Sequence, residues 1–251
     1  DDRGRDVLAP VVLDEGSPSP DSGSEIASLT GRIYDVGMPR YGTMNEAYVT
    51  SFFTRDEPGG PMWALNLMKY RAVADYEDGR ETALSGAEAD DAYAPHEQLA
   101  AVGSRIVLVA PVLHQLVGDD TVWDRIAIVL YPTRVSMAEM AMREDFKKTH
   151  EHKNAGMERT IVVASFPYEG DPAPTGVGSA AGTDDKLLMQ LVTDADAPDT
   201  LEGIEHARIA RFWVEGSIFG DERQWAEARF SRISATVAAQ LTSAGSVGDS
   251  E

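Results

Sequence analysis

Cysteine is absent from the 251-residue chain. Without thiols the protein has no disulfide framework, no cysteine nucleophile and no thiolate metal site. This absence excludes several classes of enzyme, and it also removes the usual sequence indicator of a redox compartment.

Long apolar runs are also lacking. Polar residues interrupt the most hydrophobic stretches, at Asn66, Arg105, His114 and Arg125. No run therefore reaches the roughly 18 to 20 residues that a membrane-spanning helix needs. The segment Asp1–Gly4 has neither an initiator methionine nor an apolar signal core, so export stays open. We expect a soluble protein, and the cytoplasm as its location.

Basic residues are scarce, since 22 lysines and arginines face 42 acidic residues and leave a formal charge of -20. Such a charge repels phosphate backbones and anionic membranes, so neither nucleic acid nor membrane is an expected partner. We interpret the acidic excess as a solvated surface. The sequence also contains no glycine-rich phosphate loop, dinucleotide fingerprint, nucleophile elbow or zincin motif, and we predict no cofactor.

Hydrophobic periodicity predicts an α+β protein. The capping-box pattern of Thr43 and Glu46 predicts a short helix after it. Further along, the patterns predict these elements in order: a strand over 62–70, a helix over 87–102, a hairpin of strands over 105–116 and 123–131, a helix over 133–142 and a strand over 159–166. This order is that of a ferredoxin-like unit, an antiparallel sheet with helices on one face.

An internal repeat emerges when the chain is shifted by 102 residues against itself. Segment 116–123 then falls on 218–225, with the Gly-Asp turn and the tryptophan in register. The match continues from 126–128 onto 228–230 and from 135–140 onto 237–242. The strand 186–192 resembles 62–68 at a different offset, so the second unit is abbreviated.

These patterns divide the chain into five parts. They are a flexible N-terminal arm over 1–24, a first ferredoxin-like unit with an N-terminal helix over 25–168, a linker over 169–185, an abbreviated second unit over 186–244 and a tail over 245–251. A second sheet packed on the bare face of the first would bury that face. We therefore expect tandem ferredoxin-like units that form a pseudo-dimeric α/β barrel.

The sequence resembles the dimeric α/β barrel superfamily and, within it, the domain of unknown function 1330. The residues that carry the resemblance are the strand 62–70, Ser85-Gly86 with Tyr93, Trp123-Asp124-Arg125 leading to 130–134, and Asn154-Ala155-Gly156. The resemblance implies a barrel of two sheets with a pocket between them or beside a helix, and it leaves a homodimer possible. A small hydrophobic or aromatic ligand is the partner that it suggests.

Alternation along the hairpin strands sorts their side chains into two faces. We expect the helices to cover the more apolar face. This face carries Ile126, Ile128, Leu130, Ala228 and Phe230. The opposite face is then expected to point into the barrel, with Trp123, Arg125, Ala127, Val129, Tyr131, Trp225, Glu227, Arg229 and Ser231.

A few polar groups beside aromatic rings are typical of a small-molecule site. The catalytic candidates are Glu227, Tyr131 and His114, of which Glu227 is the candidate base. The substrate-binding candidates are Arg229, Arg125, Trp123, Trp225, Asn66 and Tyr70. A self-neutralising pair of Glu227 and Arg229 explains the same pattern, and packing roles for Asn66 and His114 stay open as alternatives.

The segment His150-Glu151-His152 is the candidate metal cluster of this sequence. On a helix, however, residues two apart point in different directions, and the lysines nearby repel a cation. We predict no metal, and His96 is a weaker candidate still.

The function expected from these observations is that of a cofactor-independent small-molecule enzyme. An oxygenase, a cyclase or an isomerase acting on a hydrophobic, oxygenated substrate fits the inward polar residues and the resemblance. The alternative is a non-catalytic ligand-binding or assembly protein whose inward charges neutralise each other.

Overall fold

A computed structural model describes residues 39–54, 60–116, 118, 120–169, 177, 184–197, 204–221 and 223–245. The predicted arm over 1–24, the start of the first predicted unit, most of the linker over 169–185 and the tail after 245 lie outside this part of the chain.

The described residues form an α+β structure. Its strands are β1 (Thr43–Met44), β2 (Met62–Tyr70), β3 (Arg105–Pro111), β4 (Arg125–Tyr131), β5 (Met157–Pro167), β6 (Lys186–Val192), β7 (Ala207–Gly220) and β8 (Glu227–Ile233). Its helices are α1 (Glu46–Thr54), α2 (Gly86–Tyr93), α3 (His96–Ala101), α4 (Arg134–Met142), α5 (Glu144–Gly156) and α6 (Ala235–Gly245).

All strands belong to one antiparallel sheet in the order β3-β4-β2-β5-β7-β8-β6, with the short β1 paired to β7. The expected packing of two separate sheets is therefore wrong for these residues. Strand β7 instead pairs along β5, from Val162 opposite Phe219 to Pro167 opposite Phe212. This pairing satisfies the backbone groups that an edge strand would leave exposed.

The sheet curls around an apolar core. The rings of Trp63 on β2 and Phe212 on β7 lie 5.2 Å apart, although β5 separates the two strands. Two strand spacings in a flat sheet amount to about 10 Å. The same core takes in Leu65, Ile128 and Phe230, so both halves of the chain bury one common face.

The helices cover the other face. Phe52 of α1, Leu99 of α3 and Met140 of α4 pack with Ala64 and Tyr131 of the sheet. The predicted face assignment was thus wrong, because Ile126, Ile128, Leu130, Ala228 and Phe230 contact the concave core and not the helices. Among the described residues, the curled sheet packs these side chains against one another, and burial without polar partners favours apolar side chains there.

Three element boundaries differ from the predicted ones. The helix predicted over 87–102 is split into α2 and α3, because Pro95 has no amide hydrogen to continue the helical hydrogen bonds. The first helix begins after Asn45, whose side chain accepts from the Tyr48 amide at 3.1 Å, since Thr43 is already paired in β1. The hairpin of β3 and β4 is confirmed, but with a longer connection than predicted.

A search of the described residues found no helix that is both long and apolar enough to cross a bilayer.

Candidate functional site

A cavity of about 530 Å³ lies between the sheet and helices α2 to α5. Its floor consists of side chains from β2, β3, β4 and β5: Ala64, Asn66, Met68, Ile106, Val109, Arg125, Ala127, Val129, Tyr131 and Val162. Helical residues and Tyr41 form its walls and roof: Asp90, Asp91, Tyr93, His96, Leu99, Met137, Met140, Phe146, His150 and Lys153. The pocket is therefore on the helical side of the sheet and not inside the concave core.

Helix α5 supplies an aromatic ring, an imidazole and an amine to the wall. Phe146, His150 and Lys153 follow one another at spacings of four and three residues, which places all three on one helical face. That face lines the cavity. The spacing is readable in the sequence, although the metal-cluster pattern pairs His150 with His152 instead.

A close approach of backbones holds α2 against the end of α5. Ser85 caps α2 in a reciprocal capping box with Glu88. Beside it, the Arg71 amide donates to the Gly156 carbonyl at 2.9 Å, and the Gly86 amide donates to the Arg71 carbonyl at 3.1 Å. A Cβ on Gly86 would collide with these carbonyl oxygens, so glycine is required there. The contact brings α2 opposite His150 and Lys153.

His150 is held in the cavity wall by an aromatic environment. Its Nε2 lies 2.8 Å from the Tyr41 hydroxyl in a hydrogen bond, and its ring packs against those of Tyr93 and Phe146. Burial, helped by the nearby charge of Lys153, lowers the pKa of His150 to about 4. The imidazole is therefore neutral at neutral pH, and its Nε2 shares one hydrogen bond with the Tyr41 hydroxyl.

Three tyrosines around the cavity keep their protons. Burial raises the pKa of Tyr41, Tyr93 and Tyr131 above the ordinary value. These phenols can serve as hydrogen-bond donors, but not as bases. The Tyr131 hydroxyl lies 3.5 Å from the sulfur of Met140 and donates weakly to it.

Lys153 presents its amine to the same space. Only 9% of the residue is exposed, and its Nζ lies 5.3 Å from the centroid of the Tyr93 ring. Among the described residues, Nζ has no hydrogen-bond acceptor and no carboxylate within 4.0 Å. Burial lowers the pKa of Lys153, and the negative charge of Asp90 partly opposes this shift.

A paired network lies at the end of the cavity near α2. The Tyr70 hydroxyl donates to Asp90 at 2.6 Å, and Arg125 donates to Asp90 at 3.0 Å and to Asp91 at 2.7 Å. Asn66 lies in the floor, where its amide donates to the Ala64 carbonyl at 3.1 Å. The predicted candidates Asn66, Tyr70, Arg125 and Tyr131 thus line or border one cavity.

The other predicted polar pair is found elsewhere. Glu227 and Arg229 lie on β8, where the Arg229 Nε donates to Glu227 at 2.5 Å. Glu227 also accepts from the Tyr168 hydroxyl at 2.7 Å, and Arg229 donates to the Ala195 carbonyl at 3.0 Å. The two side chains are only 1% and 3% exposed. Neither one lines the cavity.

Three further candidates also lie apart from the cavity. His114 is exposed in the connection between β3 and β4. Trp123 is part of the concave apolar core, and Trp225 packs against that core. The expectation that these tryptophans share a face with Arg125 and Arg229 was wrong, because both precede their strands and turn toward the concave side.

The two histidines of α5 have different partners. His150 bonds to Tyr41, whereas Nδ1 of His152 lies 2.7 Å from the Tyr76 hydroxyl. Within the described ranges, no group of three or more histidine, aspartate or glutamate side chains is placed to hold a metal ion.

Comparison with known proteins finds similarity to crystal structures of an uncharacterised protein. No family model matches the chain, and no curated protein matches it significantly. A crystal structure of methylated RPA0582 is 29% identical, covers 51% of this chain and 94% of its own, and has a TM-score of 0.45. A second structure, of the RPA0582 protein of unknown function from Rhodopseudomonas palustris, is 26% identical, covers 50% and 94%, and has a TM-score of 0.44.

Proposed function

We propose that this protein is a cofactor-independent enzyme that acts on a small hydrophobic, oxygenated molecule in the cavity between the sheet and helices α2 to α5. The observation that carries the proposal is the convergence of Tyr41, His150 and Lys153 on a largely apolar cavity of about 530 Å³. Concave, mostly apolar pockets with a few converging polar groups are the usual form of a small-molecule site.

The arrangement suits proton transfer. Neutral His150 has one unprotonated ring nitrogen that can take a proton from a carbon next to a carbonyl group, while the Tyr41 oxygen at 2.8 Å can accept from the protonated nitrogen and hold the ring in place. The protonated phenols of Tyr93 and Tyr131 can donate to an oxygen on which negative charge develops. Of the three reaction types expected from the sequence, an isomerase uses these groups most directly, while an oxygenase or a cyclase would begin with the same proton abstraction.

The second candidate function is ligand binding without turnover, and one observation favours it. The pKa of His150, lowered to about 4, makes the imidazole a weak base at neutral pH. A protein that only binds would keep the apolar cavity and its polar anchors without needing a base of higher pKa.

Solvent exchange separates the two candidates. We would incubate the protein in D₂O with a panel of aromatic ketones and keto acids that carry exchangeable protons, and follow deuterium uptake by NMR. An enzyme of the proposed type should incorporate deuterium into at least one compound, and His150→Phe should remove this activity. Binding without exchange in any compound would support the non-catalytic alternative.

Two control variants locate the activity. Ala127→Phe fills the cavity and should abolish both binding and exchange, while His114→Ala changes an exposed histidine outside it. If His114→Ala abolished exchange and Ala127→Phe left it intact, the cavity would not be the active site.

We also infer that the chain consists of tandem ferredoxin-like units of the dimeric α/β barrel type, in the manner of the domain of unknown function 1330. The strand order β3-β4-β2-β5 in the first half and β7-β8-β6 in the second supports this, because β6, β7 and β8 then correspond to β2, β3 and β4. Strands β4 and β8 begin at residues 125 and 227, at the offset of the sequence repeat. The second half has no described counterpart of β5.

A further inference from the structure

Lys153 differs from the other deeply buried charged side chains because, among the described residues, no carboxylate lies within 4.0 Å of its Nζ. Arg134 of α4 forms a bidentate pair with Glu215, with Nη1 donating at 2.7 Å. Arg229 is paired with Glu227 on β8. Lys153 is nearly as buried as these residues, but within the described chain its ammonium has only the face of the Tyr93 ring beside it.

Neighbouring groups do not neutralise Lys153. The Asp90 carboxylate already accepts from Tyr70 and Arg125, and its influence on Lys153 is felt only at a distance. Asp91 is exposed and also binds Arg125. His150 is neutral, so it supplies no negative charge. Arg125, the other cation of the cavity wall, is thus paired with two carboxylates, whereas Lys153 is paired with none of the described ones.

A buried cation without a counterion is costly unless something else compensates for it. The open space beside Lys153 belongs to the cavity, so the compensating group can come from a bound molecule. A carboxylate fits this need best, because an ion pair shielded from water is strong and because a carboxylate can accept from more than one donor.

Building on the proposed function, we propose that the ligand is an aromatic or otherwise apolar carboxylic acid whose carboxylate binds Nζ of Lys153. Its apolar body would lie over Ala127 and Val129 of the floor. The rings of Tyr93 and Phe146, whose centroids are 5.9 Å apart in an edge-to-face arrangement, would contact an aromatic body from the helical side.

Three probes of matched shape test this ligand class. They are 2-naphthoate, the neutral 2-naphthamide and the cationic 2-naphthylmethylammonium, measured by isothermal titration calorimetry at pH 7. The wild type should bind the acid at least about tenfold more tightly than the amide, as expected for a hydrogen bond to a charged group. The cation should bind most weakly.

Variants on one helix assign the preference to a residue. Lys153→Met should reduce the affinity for naphthoate to that for the amide and leave the amide affinity within about twofold. Lys147→Met is the matched control, since Lys147 is on the same helix but pairs with Glu144 at the surface. Lys153→Arg should retain part of the preference for the acid, which shows that a cation and not the loss of packing is responsible.

The outcomes separate this inference from the proposed function. If acid and amide bind equally and Ala127→Phe removes both, the cavity is a ligand site but its ligand is not selected by charge, and the carboxylate inference is wrong. It is equally wrong if borohydride traps 2-naphthaldehyde on Lys153 while acid and amide bind with the same affinity. If no probe binds the wild type, or if Ala127→Phe leaves binding unchanged, the proposed function fails as well.

Discussion

The surroundings of Lys153 and those of Arg229 offer the most instructive comparison within this molecule. Both side chains are buried cations, and Arg229 alternates along β8 with Ala228 and Phe230, which face the concave core. Arg229 is enclosed by a carboxylate and a carbonyl oxygen, whereas Lys153 borders a cavity and has neither. Burial of a charge is therefore a poor guide to a functional site. Open space next to an uncompensated charge is a better one.

The largest effect that we predict comes from breaking the buried ion pair of Glu227 and Arg229. Glu227→Ala leaves the Arg229 cation buried without its carboxylate, so the free energy of unfolding should fall by about 3 to 5 kcal/mol. Urea denaturation measures this loss. Binding of 2-naphthoate to the remaining folded protein should be unaffected, because Glu227 does not line the cavity.

A double variant serves as the control. Glu227→Met combined with Arg229→Met removes both charges and should recover most of the lost stability. If Glu227→Ala instead kept full stability and lost ligand binding, the pair would belong to the site after all.

The second prediction concerns the effect of acid pH on stability, through His150 in the cavity wall. The pKa of His150 is lowered to about 4 in the folded protein from 6.5 when unfolded. Between these pH values the unfolded chain binds a proton that the folded chain does not, so stability is lost as the pH falls from 6.5 to 4. The loss should total about 3 kcal/mol.

Urea unfolding at a series of pH values, for the wild type and His150→Phe, isolates this contribution. The variant should lack the His150 part of the decline. An NMR titration of His150 that gave a pKa near 6.5 would contradict the prediction.

The third prediction compares an alanine-to-phenylalanine substitution on each of the two faces of the sheet. Ala127→Phe on β4 adds a ring to the open cavity, and its effect on stability should stay within about 1 kcal/mol. Ala228→Phe on β8 adds a ring to the closed core, where the alanine is 0% exposed, and should cost about 1 to 3 kcal/mol or more. Thermal unfolding of both variants measures the contrast, and equal losses would mean that the cavity is packed.

The smallest effect concerns Lys153 itself. Lys153→Met removes a poorly solvated ammonium, so the variant should be about 1 kcal/mol more stable than the wild type. Lys147→Met, at the surface of the same helix, should change stability by less than about 0.5 kcal/mol. A marked loss of stability in Lys153→Met would show that the lysine has a structural partner.

The sequence predicted the elements of this fold better than it predicted their faces. Alternation placed Arg125, Ala127, Val129 and Tyr131 on one side of β4, and the cavity confirms that they share it. Alternation cannot tell which side the helices cover, and the assumption that they cover the more apolar side inverted the assignment. The stronger apolar pattern belongs to Ile128 and Phe230 because the sheet curls onto itself there.

Of the candidate site, the sequence identified the strand residues and missed the helical ones. Asn66, Arg125 and Tyr131 were found because polar and aromatic side chains are conspicuous in strands. His150 was considered only as a metal ligand and Lys153 only as one of the nearby lysines, since a polar residue in a polar helix is usually exposed. Their helical spacing from Phe146 was the available signal.

By itself, the sequence determined most strands and helices of the first half but not α5, because periodicity, capping residues and prolines act locally. Tertiary structure decided which strands became neighbours, which face closed on itself and where Lys153 came to lie. The physical reason is that burial and charge compensation depend on groups distant in the chain. Lys153 meets Tyr93 and not a carboxylate only because α2 docks on α5 through Gly86 and Gly156.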